Sequence, residues 1–152
     1  MLTFIVQVQG RQAFIQAARK QVRQGVNMTC ETTTGSVYED STFSLMARFE
    51  VDGANATQAD CSSITIKAWD MSDFGTQVLS ATLVVADVVF DALQTDGRWS
   101  EDSTGYNFRY DVADTVCTVP GARYRFESVV TTSGGKLPPM VWEVLCLETR
   151  SS

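Results

Sequence analysis

The chain changes its hydrophobic rhythm once, close to Gly25. Before that point, Leu2 to Val8 is a short run rich in β-branched and aromatic side chains (Phe4, Ile5, Val6, Val8) closed by Gly10, which predicts a strand. From Arg11 to Gln24 the apolar residues Phe14, Ile15, Ala18 and Val22 fall at i, i+1, i+4 and i+8, with Gly25 at a C-cap position. That spacing predicts a short amphipathic helix. After Gly25 the period becomes two. Phe43, Leu45, Ala47, Phe49 and Val51 alternate with polar or flexible residues, as a strand does with one face in a core and one in water.

The same alternation continues to the end. Ile64, Ile66 and Ala68 mark a second body strand, and Asp73-Phe74-Gly75 turns the chain into an apolar strand from Val78 to Val85. Val88 to Leu93 fits a strand or a helical turn, and the strand is favoured. The polar stretch Thr95 to Gly105 predicts a long loop. Tyr106, Phe108 and Tyr110 then alternate with polar residues, Pro120-Gly121 turns into Tyr124, Phe126, Ser128 and Val130, and Ser133 to Lys136 leads into a last strand from Met140 to Glu148. Six or seven short strands with turn signals between them predict an all-β fold. The expected architecture is an immunoglobulin-like antiparallel β-sandwich, residues 26–152, preceded by a strand and a short amphipathic helix, residues 1–25. The Cys…Trp…Cys spacing of true immunoglobulin domains is missing.

Charge divides the chain at the same place. The first 24 residues hold Arg11, Arg19, Lys20 and Arg23 with no acid, a charge of +4, while everything after them sums to −10 within a net charge of −6. This marks residues 1–25 as a basic arm and the candidate partner-binding element, with Phe4, Val6, Arg11, Phe14, Ile15, Ala18, Arg19, Lys20, Val22 and Arg23 as the contacting residues. The arm either lies on a neighbouring subunit or packs on its own acidic domain. Four positive charges are few for a nucleic-acid arm, so protein is the expected partner.

Histidine is absent. Ser-His-Asp and Cys-His catalysis and His-containing zinc sites are thereby removed, and no nucleophile motif or cofactor fingerprint takes their place. The chain is read as non-enzymatic, without catalytic residues, cofactor or metal. Asp73-Phe74-Gly75 copies three letters of a kinase signature without its other motifs and is a turn. Asp96, Glu101 and Asp102 beside Trp99 do not match a calcium-loop spacing. With Ser133 to Pro139 they outline an alternative: a carbohydrate- or cell-surface-binding module using the loops at one sandwich end, through Trp99, Glu101 and Asp102. The bland reading of Trp99 is a lid over the core. Cys117 and Cys146 read as core residues, and Cys30 and Cys61, in polar surroundings, are the candidate pair if any cysteines are oxidised. No apolar run is long enough for a membrane span and no secretory signal opens the chain, so a cytoplasm is the expected place of synthesis and both Asn-x-Thr matches are read as chance.

From Val88 onward a more particular pattern emerges: Val89-Phe90-Asp91-Ala92-Leu93, then Trp99, Asp102, Gly105-Tyr106-Asn107-Phe108, then Pro120-Gly121 with Tyr124 and Glu127. This resembles β-sandwich domains encoded among bacteriophage and prophage structural genes, of the type seen in the N-terminal domain of phage baseplate upper proteins. The resemblance covers the last sixty-five residues or so and is one of turns and aromatics. It implies a virion structural protein, in head decoration, neck or baseplate, assembled in the host bacterial cytoplasm. The implied partners are capsid, portal, neck or tail subunits and the chain itself as an oligomer. Baseplate proteins continue beyond such a domain into linkers and receptor-binding parts, whereas this sequence adds an arm in front, a departure that bears on the baseplate location and not on the sandwich. Within the pattern, Gly105 is expected to turn the chain sharply before Tyr106 and Phe108 enter the core, and Tyr124 to bond back to the backbone like a corner tyrosine.

Overall fold

The computed structural model describes the backbone of residues 4–9 and 12–18 and all of residues 32–150. In chain order the strands are β1 (Phe4–Gln9), β2 (Gln12–Ala18), β3 (Thr32–Tyr38), β4 (Phe43–Arg48), β5 (Glu50–Val51), β6 (Ala54–Asn55), β7 (Ser63–Asp70) and β8 (Thr76–Leu83). A helical turn, α1 (Val85–Val88), precedes β9 (Val89–Gln94), β10 (Tyr106–Val112), β11 (Arg123–Thr132), β12 (Gly135–Lys136) and β13 (Met140–Leu147). The first sheet has the order β1-β2-β4-β10-β9 and the second β3-β13-β11-β7-β8, with β12 on β11 and a small β5-β6 pair beside them. The two large sheets stack as a sandwich.

Period-two sequence makes this architecture. Along β7, Ile64, Ile66 and Ala68 are buried while Lys67 is exposed, and along β11 Tyr124, Phe126, Ser128 and Val130 are buried in alternation. The inner faces meet through aromatic contacts between the layers. Phe43 of β4 stands edge-on to Phe126 of β11 with ring centroids 5.8 Å apart, and Phe108 of β10 stacks on Trp142 of β13 at 6.0 Å. Cys117 and Cys146 are buried in the same core as free thiols, the Cys146 thiol facing the Cys117 carbonyl at 3.7 Å. Burial pushes the Cys146 thiol up to about 11 and the Cys117 thiol higher still.

Two sequence-based expectations are corrected. The helix expected over Arg11 to Gln24 is, across Gln12–Ala18, the strand β2. Its apolar spacing fits a helix in isolation, but β2 lies between two strands, paired residue by residue with β1 and β4, and ladder hydrogen bonds on both sides outweigh a weak local preference. Residues 19–24 lie outside the described residues. The sheets are also not purely antiparallel, because β2 runs parallel to β4 and β13 parallel to β3. Alternation of apolar residues is the same in both arrangements, so it is blind to strand direction. At Val88 to Leu93 both readings hold in part: a helical turn ends at Val88 and a strand begins at Val89.

Candidate functional site

Strand direction brings the predicted loops together. The β9–β10 connection (residues 95–105) and the β11–β13 connection (133–139) leave the sheets at the same end of the sandwich, opposite the short β3–β4 link. The longer connection folds back onto the outer face of the first sheet. There Met46 of β4, Trp99 of the loop and Tyr106 of β10 form a second buried cluster with Phe90 of β9 against it. Tyr106 is the hub, with Trp99 5.7 Å away and Phe90 edge-on at 5.8 Å. Arg109 lies over the Phe90 ring, 5.8 Å from its centroid.

Asp102 fastens the loop. Its Oδ1 accepts hydrogen bonds from Trp99 Nε1 (2.9 Å), from the backbone amides of Thr104 (2.9 Å) and Gly105 (3.0 Å) and from Arg48 Nη1 (3.1 Å). Arg48 Nη2 reaches Oδ2 at 2.8 Å, completing a two-pronged ion pair, and Arg48 Nη1 also donates to the Gly105 carbonyl at 3.0 Å. Burial opposes ionisation of Asp102, but the bonds from Arg48, Trp99, Gly105 and Thr104 outweigh it and hold its carboxyl well below the usual carboxylate range. Asp96 closes the other end of the loop, accepting from the Tyr106 hydroxyl at 2.8 Å and from the Arg98 amide at 3.0 Å.

Glu101 has the opposite environment. Both of its carboxylate oxygens are shielded from solvent without a hydrogen-bond partner. Burial, reinforced by the neighbouring Asp102 charge and only partly opposed by Arg48, raises its pKa from the ordinary 4.5 to about 7. A carboxyl whose folded-state value is raised contributes stability that is present below its ordinary value and lost as pH rises through about 7. Glu101→Gln is therefore expected to raise the melting temperature near pH 8 and to change it little near pH 5. Thermal melts of both proteins across that range check it, and parallel pH profiles would refute the assignment.

This arrangement is structural in its chemistry. Trp99 is only 7% exposed, with its indole N–H committed to Asp102, so it presents no platform for a sugar ring. Asp96 and Asp102 spend their oxygens on the loop, and among the described residues no group of three or more His, Cys, Asp or Glu is placed to hold a metal ion. Cys61 is half-buried, its thiol pushed up to about 11 by burial and by Asp60, and Cys30 lies outside the described residues. Sequence reasoning missed Arg48, the basic partner of the acidic loop, because it stands on a distant strand. It also missed Asn107, whose amide buried between Tyr106 and Phe108 was the available signal.

The candidate partner-binding residues divide. Phe4 and Val6 are on β1, and Phe14, Ile15 and Ala18 on β2 at positions opposite Ser44, Leu45 and Arg48 of β4. Arg11, Arg19, Lys20, Val22 and Arg23 lie outside the described residues. The described part of the basic segment thus pairs with its own domain, and among the described residues β1 forms an edge of the first sheet. Tyr124 has the corner role expected of it, its hydroxyl accepting the Val119 amide at 3.2 Å. Among the described residues no helix is long and apolar enough to cross a membrane.

No protein-family description matches this chain, and no curated protein sequence matches it. Among solved structures it is similar to the N-terminal domain of phage TP901-1 ORF48, with a TM-score of 0.39 and 8% identical residues, over 90% of this chain and 98% of that one. At that level nothing is carried from one to the other.

Proposed function

We propose that this chain is a non-enzymatic structural component of a bacteriophage particle that binds other virion subunits through its N-terminal segment. The observation that carries the reading is the place of that segment. Its first strand is a sheet edge among the described residues, where backbone groups stand ready to pair with another chain, and the basic residues of the same segment contrast with an acidic body. The resemblance of residues 88–148 to phage structural β-sandwiches supplies the biological setting. An aromatic lid fastened by Asp102 fits a rigid building block, since the Trp99 indole N–H and the Asp102 carboxylate are both spent on holding the loop.

The test is incorporation. Purified particles from the producing host are expected to contain the chain in a fixed ratio to the major structural protein, by quantitative mass spectrometry. Arg19→Glu/Lys20→Glu/Arg23→Glu is expected to leave a folded protein that is lost from those particles. Absence of the unaltered chain from particles would refute the virion role, and full incorporation of the charge-reversed variant would refute the role of the segment.

A further inference from the structure

The strand β8 is an edge of the second sheet, paired among the described residues with β7 alone. Natural edges are commonly guarded by charge, proline or a bulge. Here the guard is partial. A register shift between Ala68 and Trp69 leaves Val78 as an extra residue in β8, and beyond it the ladder is regular from Leu79 to Leu83. From Gly75 to Ala86 the chain carries neither a charged residue nor a proline, in a protein that is one-fifth charged.

Residues 78–84 read Val-Leu-Ser-Ala-Thr-Leu-Val, a palindrome apart from the exchange of serine for threonine. The structure sorts it into two rows. Leu79, Ala81 and Leu83 are half-buried, and Leu79, Ala81 and Leu83 pack against the core, while Val78, Ser80, Thr82 and Val84 are exposed. Val78 is 38% and Val84 64% exposed, and Val84, though beyond β8, keeps an extended backbone.

We infer that β8 is a self-pairing edge, joining a second copy of this chain in antiparallel register about a twofold axis at Ala81. In that register Val78 faces Val84 of the other copy and Ser80 faces Thr82, each contact occurring twice, while Leu79 meets Leu83. Apolar β-branched residues oppose each other and hydroxyls oppose hydroxyls, which are favourable cross-strand pairs. Antiparallel pairing of two identical strands is isologous and closes on itself, so it yields a dimer with one continuous sheet across the interface. The absence of charge along the edge admits that occupant. Two copies of a protein with net charge −6 repel, and an uncharged edge lets them approach without opposing like charges. The pairing belongs to the chain alone and stands or falls independently of a role in particles.

The test is sedimentation equilibrium of the full chain with register-specific charges. The unaltered protein is expected to dimerise as concentration rises. Ser80→Lys/Thr82→Lys, at two exposed positions, is expected to weaken association by about tenfold or more, because each new charge faces its like across the axis. Ser80→Glu/Thr82→Glu is expected to be equally monomeric, and an equimolar mixture of the two variants to recover the dimer. Thr34→Lys, on the other edge of the same sheet, is expected to leave it intact. Should the paired lysines unfold the strand, Val84→Lys makes a second test, setting a charged side chain against the apolar Val78 of the other copy, and is likewise expected to weaken the dimer. A monomeric unaltered chain at the highest soluble concentration, an undiminished dimer with either charged pair, or dissociation by Thr34→Lys would overturn the inference.

Discussion

Asn107→Ala is expected to cost about 4 kcal/mol or more of folding stability, because one side chain holds three buried backbone groups. Its Nδ2 donates to the carbonyls of Phe49 and Ala56, both at 2.9 Å, and its Oδ1 accepts the Phe49 amide at 2.9 Å. Asn107 is itself 1% exposed. Truncation orphans the Phe49 amide and the Ala56 carbonyl and leaves the Phe49 carbonyl with the Ala56 amide alone, 3.1 Å away, and each orphan costs about 1–3 kcal/mol. Asn107→Asp separates the donors from the acceptor. It keeps an acceptor for Phe49 but sets a negative charge against two carbonyl oxygens, so it is expected to be at least as damaging at neutral pH and less so in acid, where a protonated acid donates once. Denaturant unfolding measures both. A loss below about 1 kcal/mol for the alanine variant would show that the bend after β4 does not depend on this amide.

Gly105→Ala is expected to be the second most damaging exchange, at about 3 kcal/mol. Gly105 has φ +98°, and a Cβ there would stand 2.2 Å from the Gln94 carbonyl oxygen and 2.9 Å from its carbon. The obstacle is backbone at the end of β9, so no side chain can step aside. Any shift of Gly105 also pulls on Asp102 and Arg48, which bond its amide and its carbonyl. Loosening of the lid is therefore expected alongside the loss of stability, visible as increased quenching of tryptophan fluorescence. Gly97→Ala is the control: nothing lies within 4 Å of its Cβ position, and it is expected to be neutral or slightly stabilising. Equal effects of the two exchanges would refute the steric account.

The strands were legible where one face is buried, as in β4, β7, β10 and β11, because alternation is a direct record of which residues leave water. Partner and direction were not. Residues Phe14, Ile15 and Ala18 fit a helix by spacing alone, and only the neighbours supplied by β1 and β4 make them a strand. Gly105 and Tyr124 could be read because their demands are local, a positive φ and a bond five residues back. The lid could be read only in part. Trp99 as a cover is a composition-level expectation, whereas the opposite behaviour of the adjacent acids Glu101 and Asp102 depends on where Arg48 sits, and sequence separation hides that. For the same reason Asn107 looked like a polar residue on an outer face, since the groups that require it lie beyond the end of another strand.

The parallel pairing of β13 with β3 sets an order on folding. Among the described residues β3 has β13 as its sheet neighbour, and Thr32 meets Val141, more than two thirds of the chain's length away. A ribosome therefore releases β3 long before the strand that will hold it exists. The same late strand also pairs with β11 and supplies Trp142 to the stack on Phe108. The nascent chain must carry an open sheet and half a core until β13 emerges, and closing so distant a contact is slow. Synthesis, rather than the finished protein, is then the stage at which this sandwich is most exposed to aggregation and most dependent on chaperones.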